Sequence, residues 1–179
     1  FTQEDGRGRF VYAEVDEPGP GDLEIAISCI VERKGVHFSL EQAANLPSFQ
    51  PALFPATLNT SAPKMIADEK VRAIADDACG NETNIARQAV LLVKKVAEIA
   101  DHHSTNPDLP DCGEGSAEDC LQFGGGTCTD MHSLFVAMAR SRGIPAKIQF
   151  GYQLLDSEEG TGEYDPDYRC WVEYFVPGA

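Results

Sequence analysis

Residues 123–146 read FGGGTCTDMHSLFVAMARSRGIPA, and this stretch decides the fold. Three glycines, Gly124, Gly125 and Gly126, lead into Thr127 and Cys128. A helical period then begins. Met131, Leu134, Phe135 and Met138 fall at i, i+3, i+4 and i+7, which is one apolar helix face. Gly143-Ile144-Pro145 ends the run with a glycine suited to the left-handed position after a helix, an apolar residue, and a proline that cannot continue. Cys128 therefore stands at a helix N-terminus behind a flexible turn. Backbone N–H groups and the helix dipole there favour thiolate over thiol, as a cysteine nucleophile requires. Free cysteines are among the most buried residues, so burial alone accounts for most of them. The glycine turn and helix start set Cys128 apart.

The run CTDMHSLFVAMARSRGIPAK, followed further on by CWVEYFVPG, resembles the transglutaminase-like superfamily of papain-type cysteine enzymes. In its bacterial members a G-x-C-T-D-hydrophobic-H-S-L-F run leads to A-R-x-x-G-I-P-A. A strand reading H-C-W-x-E-F/Y follows, with P-G after it. The motifs cover residues 116–178. The resemblance implies an α+β fold of the transglutaminase-like, papain-type kind, with the nucleophile helix packed on an antiparallel sheet.

It also implies a Cys-His-Asp triad, of which Cys128 is matched. Arg169 stands where the superfamily has histidine, and the aspartate expected beyond the P-G falls past Ala179. The base in such chemistry accepts the thiol proton and later protonates the leaving amine. Arginine has no acceptor and stays protonated. Period-2 alternation puts Arg169, Trp171 and Glu173 on one strand face, and Tyr168, Cys170, Val172 and Tyr174 on the other. Arg169 is expected to face Cys128 in the histidine's place. The base itself stays open. His132 lies one turn along the same helix face as Cys128, where the resemblance implies a structural histidine. His102 and His103 read as the end of a helix, and His37 lies in an unassigned stretch. Gln122, six residues before Cys128, is a candidate oxyanion donor.

The whole chain, residues 1–179, reads as one domain with enough length to bury a core. A net charge of −15 argues against nucleic acid and anionic membranes as partners. No apolar run approaches a membrane span. Six cysteines suggest disulfides and hence export, with a reduced cytoplasmic protein as the alternative. Cys112 and Cys120, in PDCGEGSAEDC, are the expected bridge in an exported protein. No C-x₂-C pair points to zinc. The loop at 156–167, DSEEGTGEYDPD, offers Asp156, Glu158, Asp165 and Asp167 as oxygen ligands. Thr161 occupies the position that an EF-hand gives to glycine, and no glutamate closes the loop, so calcium is not expected and no cofactor is implied.

Residues 1–63 read as a hairpin followed by an irregular, proline-bearing layer over 35–63. The hairpin strands are 9–15 and 22–32. Within 64–179, helices are expected over 68–78, stopping at Gly80, and over 82–100, with a helical turn at 116–121. Strands are expected over 147–154 and 168–176. Two functions fit. One is a thiol enzyme that hydrolyses or transfers the acyl group of an amide or peptide through Cys128. The other is a non-catalytic module that binds a protein or peptide in the same cleft through Arg169 and Trp171.

Overall fold

A computed structural model describes residues 2–4, 9–11, 19–21, 39, 50–111, 115–153 and 167–176. The chain divides into two compact units, Phe1–Val36 and His37–Ala179. In the first, β1 (Thr2–Glu4) pairs antiparallel with β2 (Arg9–Val11), with Thr2 opposite Val11. The strand expected at 9–15 thus begins where it should, but its partner precedes it. The expected partner at 22–32 lies outside the described residues.

The second unit carries α1 (Glu69–Cys79), α2 (Ile85–Ile99), β3 (Asp101–His102), α3 (Ala117–Phe123), β4 (Gly125–Gly126), α4 (Cys128–Ser141), β5 (Ala146–Gln153) and β6 (Asp167–Tyr174). One 3-10 turn, Pro51–Leu53, lies ahead of them. Helices α1, α2 and α3 each start on a side-chain cap that satisfies an otherwise orphaned N–H. Asp68 Oδ1 accepts from the Val71 N–H at 2.8 Å, Asn84 Oδ1 from Arg87 at 2.9 Å, and Ser116 Oγ from Asp119 at 3.3 Å. The Asn84 cap explains why α2 begins three residues later than its periodicity suggests. Glu82 Oε1 accepts from the N–H groups of Thr83 and Asn84, which holds residues 82–84 as a turn. At the end of α4, Ile144 N–H donates to Ala139 O and Gly143 N–H to Arg140 O, with Gly143 at φ 75°. This is the paired closure that the Gly-Ile-Pro signal implied.

The core is built around α4. Leu134, Val136, Ala137, Met138 and Ala139 are buried, against Val71 and Ala75 of α1, Ala89, Leu92 and Val96 of α2, and Ala117 and Cys120 of α3. Many of these side chains are small, which lets the helices approach closely. β5 and β6 run antiparallel, with Ala146 opposite Tyr174 and Phe150 opposite Cys170, and the helix packs on this sheet. Ile148, Val172 and Tyr174 face the core, and the Phe135 and Tyr174 rings lie 6.3 Å apart. The architecture is α+β, with the cysteine-bearing helix against an antiparallel sheet. Among the described residues no helix is long and apolar enough to cross a membrane.

His102 and His103 do not end a helix. α2 stops at Ile99, Ala100 is extended, and Asp101 and His102 pair in parallel with Gly125 and Gly126. Asp101 N–H donates to Gly124 O at 3.0 Å and His103 N–H to Gly126 O at 2.8 Å. A two-residue bridge carries no periodicity, so no pattern in the sequence announces it.

Arg140 joins three parts of this unit. Its Nε and Nη2 donate to Ala146 O at 3.0 and 2.9 Å, and its Nη1 donates to Asn59 O at 3.1 Å. Its side chain is buried, so these carbonyls have little water to turn to. Arg140→Leu is expected to lower unfolding free energy by roughly 2–4 kcal/mol, read as a lower urea midpoint at unchanged slope. Arg140→Lys should recover only part, because an ammonium lacks the planar fork. An unchanged midpoint in Arg140→Leu would show that the three bonds add nothing net.

Candidate active site

Cys128 is the first residue of α4, and its position is fixed by the residues around it. Asp130, two residues on, is 2% exposed. Its Oδ2 accepts from the Thr127 N–H at 2.9 Å and from the Thr127 hydroxyl at 2.8 Å. Its Oδ1 accepts from the Ser116 N–H at 3.0 Å. One carboxylate therefore ties the start of α3 to the first turn of α4. Gly126, at φ 151°, lies so close that a Cβ there would stand 2.8 Å from Asp130 Oδ2. Gly125, at φ 145°, lies against the Asp101 backbone, where a Cβ would meet the Asp101 carbonyl. The glycine turn is required by close packing as well as by its dihedral angles. The Ser133 hydroxyl donates to Gly115 O, which holds the segment ahead of α3 to the next turn of α4.

Cys170 meets Cys128. The two sulfurs lie 3.3 Å apart, with the Cys170 thiol donating. His132 Nδ1 lies 3.1 Å from Cys170 Sγ. Thr129 Oγ1 lies 3.6 Å from Cys170 Sγ and 4.0 Å from Cys128 Sγ. The site is thus a line, Cys128–Cys170–His132, with a hydroxyl beside it. Cys128 is partly exposed, whereas Cys170 is 8% exposed. Burial pushes the Cys170 thiol up to about 11. Burial, and to a lesser degree the charge of His102, lowers the His132 imidazole below its ordinary value, favouring the neutral ring.

This arrangement corrects the expectation that Arg169 faces Cys128. Cys170, Val172 and Tyr174 point inward, and Arg169 lies on the opposite, solvent-facing side of β6. The reason is the ordinary one for a half-buried strand. Arg169 and Glu173 are charged, Val172 and Tyr174 are apolar, and Glu173 pairs across the outer face with Lys147 at 2.9 Å. That charge pattern is the signal in the sequence that turns Cys170 inward. Trp171 shares the outer face, 42% exposed, with its indole across Gly151, where a Cβ would meet it at 2.7 Å. Gln122 lies exposed on α3. Among the described residues no hydrogen bond joins Gln122 to Cys128, Cys170 or His132.

Cys79, Cys120, Cys128 and Cys170 are free thiols. Cys120 is 1% exposed in the core, on the buried face of α3, so the expected bridge from Cys112 is not formed. Cys112 itself, Cys29, and residues 154–166 of the acidic loop lie outside the described residues. Among those described, no cluster of three or more His, Cys, Asp and Glu side chains is arranged to hold a metal ion.

The lowered His132 has a consequence for stability. Its folded value lies below the ordinary 6.5. The unfolded chain therefore binds the proton more readily. Stability from this group is full above about pH 6.5 and is lost as pH falls toward the folded value. Urea midpoints measured across that window should fall with pH. His132→Gln should flatten that part of the profile relative to the native chain. Parallel profiles would mean that the ring is not held in a neutral-favouring site.

Comparison with known proteins agrees with this fold. The family model of the transglutaminase-like superfamily matches residues 64–179. An uncharacterized protein of Haemophilus influenzae is 34% identical over 133 residues, a match that takes in 65% of this chain and 35% of that protein. Among solved structures, a candidate cysteine protease from Cytophaga hutchinsonii is similar at a TM-score of 0.54 and 20% identity, over 70% of this chain and 39% of that one. That likeness bears on the fold, which is papain-type. The chain spans little more than a third of the length of either relative. The family match extends over more than half of its residues, and the chain belongs to the transglutaminase-like superfamily.

Proposed function

We propose that this domain is a thiol enzyme of low competence, with Cys128 attacking an amide or peptide carbonyl for hydrolysis or acyl transfer. One observation carries the reading: Cys128 opens a buried, firmly capped helix and lies in contact line with Cys170 and His132. The neutral imidazole is a proton acceptor, but its hydrogen bond among the described residues is to Cys170, which in turn donates to Cys128. A thiol raised to about 11 is a reluctant relay. The resemblance places a histidine at position 169, and the arginine there lies on the solvent-facing side of β6, away from the thiols. Slow departure of the leaving group follows, since general acid–base help is worth about 10²–10⁴-fold.

A second reading is favoured by the outer face of β6. Trp171 is exposed there beside Arg169, as in a non-catalytic module that binds a protein or peptide. This face lies on the other side of the strand from the thiols, so the two readings separate by mutation.

The test is turnover of glutamine-containing and peptide substrates, with water or hydroxylamine as acyl acceptor. Weak turnover is expected, abolished in Cys128→Ala and lowered by about 10²-fold in His132→Gln. Arg169→Ala and Trp171→Ala should leave the chemical step unchanged. Turnover that survives Cys128→Ala overturns the proposal. No turnover, with peptide binding lost in Trp171→Ala, would favour the second reading.

A further inference from the structure

The thiol enzyme reading uses one sulfur, and the site holds two. We infer that Cys128 and Cys170 form a reversible dithiol–disulfide couple, oxidised by a hydroperoxide and restored by a small dithiol or a dithiol protein. The inference stands whether or not Cys128 performs acyl transfer, and its readouts are mass and thiol content rather than turnover.

Three features carry it. The sulfurs are already 3.3 Å apart, and a disulfide is about 2.05 Å, so closure needs a movement of about 1.3 Å, within reach of small side-chain rotations. The two thiols differ in kind. Cys128 is partly exposed at a helix N-terminus, where oxidants reach it. Cys170 is buried and is held behind it by the strand. Finally, His132 Nδ1 lies 3.1 Å from Cys170 Sγ, on the sulfur that must lose its proton second. Cys79 and Cys120, the other free thiols among the described residues, are buried in the core and have no such neighbour sulfur.

The reaction balances in two steps. The Cys128 thiolate attacks one peroxide oxygen. An S–O bond forms, the O–O bond breaks, and the leaving oxygen departs as water or an alcohol after taking a proton. Cys128 is now a sulfenic acid. Cys170 then gives its proton to His132 Nδ1, and its sulfur attacks the sulfur of Cys128. The S–S bond forms, the S–O bond breaks, and hydroxide leaves as water with the proton returned from His132. Two thiols have lost two electrons and one hydroperoxide has gained them. The same step removes the nucleophile from any acyl transfer, so the oxidised domain is silent in that chemistry.

The experiment treats the native chain with hydrogen peroxide and maps its peptides without reduction. A cross-linked pair containing Cys128 and Cys170 is expected, with both thiols lost to alkylation and both recovered on adding dithiothreitol. In Cys170→Ser, Cys128 should stop at sulfenic acid and be captured by dimedone. In Cys128→Ser, Cys170 should stay reduced. His132→Gln should slow bond formation by about 10²-fold while leaving the first oxidation unchanged, a separation that a merely structural histidine would not produce. Far-UV circular dichroism of each variant checks that it folds. The native-chain map is decisive even where a variant fails. Oxidation of Cys128 to sulfinic or sulfonic acid without the cross-link, or a cross-link joining Cys128 to any other cysteine, would overturn the inference.

Discussion

A buried carboxylate holds the site together. Asp130 accepts from Ser116 and from both donors of Thr127, and it has almost no contact with water. Two backbone N–H groups that would otherwise be orphans at helix starts end on this one side chain. The glycine turn must fit the same carboxylate, since a side chain at position 126 would occupy its place. Cys128 lies between the turn and the carboxylate in sequence, so its direction follows from both. The packing of α4 against α1, α2, α3 and the sheet then carries this small fixed point into the core.

Much of this is legible in the sequence. The apolar face of α4, its closing Gly143, the helix near 68–78 and the alternation of β5 are local signals, each with a local physical cause. The face of β6 is legible from its charge pattern, which outweighs the motif position of Arg169. Arg169 and Glu173 on one side and Val172 and Tyr174 on the other decide which side meets the core, and Cys170 goes with the apolar pair. What could not be read was long-range. The β3–β4 bridge, the reach of Arg140 to Asn59, and the meeting of Cys170 with His132 join residues far apart in sequence. None leaves a periodic trace.

The composition of the site follows from that strand orientation. An arginine turned outward leaves its inner neighbour to fill the space beside the nucleophile, and here the neighbour is a second sulfur. A thiol is small, apolar enough for the interior, and a weak hydrogen-bonding group, so it is tolerated where a charged side chain would not be. The histidine that remains within reach sits on the helix itself, one turn from Cys128, and contacts the sulfur brought by the strand. Acid–base capacity and nucleophile are therefore both carried by α4, with β6 supplying the link between them.

The junction after α2 sets a limit of another kind. The helix runs from Ile85 to Ile99, a single extended residue follows, and Asp101 is then hydrogen-bonded to the glycine turn that leads to Cys128. Its carbonyl fills the space that any side chain on Gly125 would need. Each helical residue advances the chain by about 1.5 Å and turns it by about 100°. One residue added within α2 would carry Asp101 past its partner and rotate it away, with every residue of the site unchanged. α2 thus serves as a gauge rod: residue type can vary along its wet side, but its residue count is tied to where the nucleophile stands.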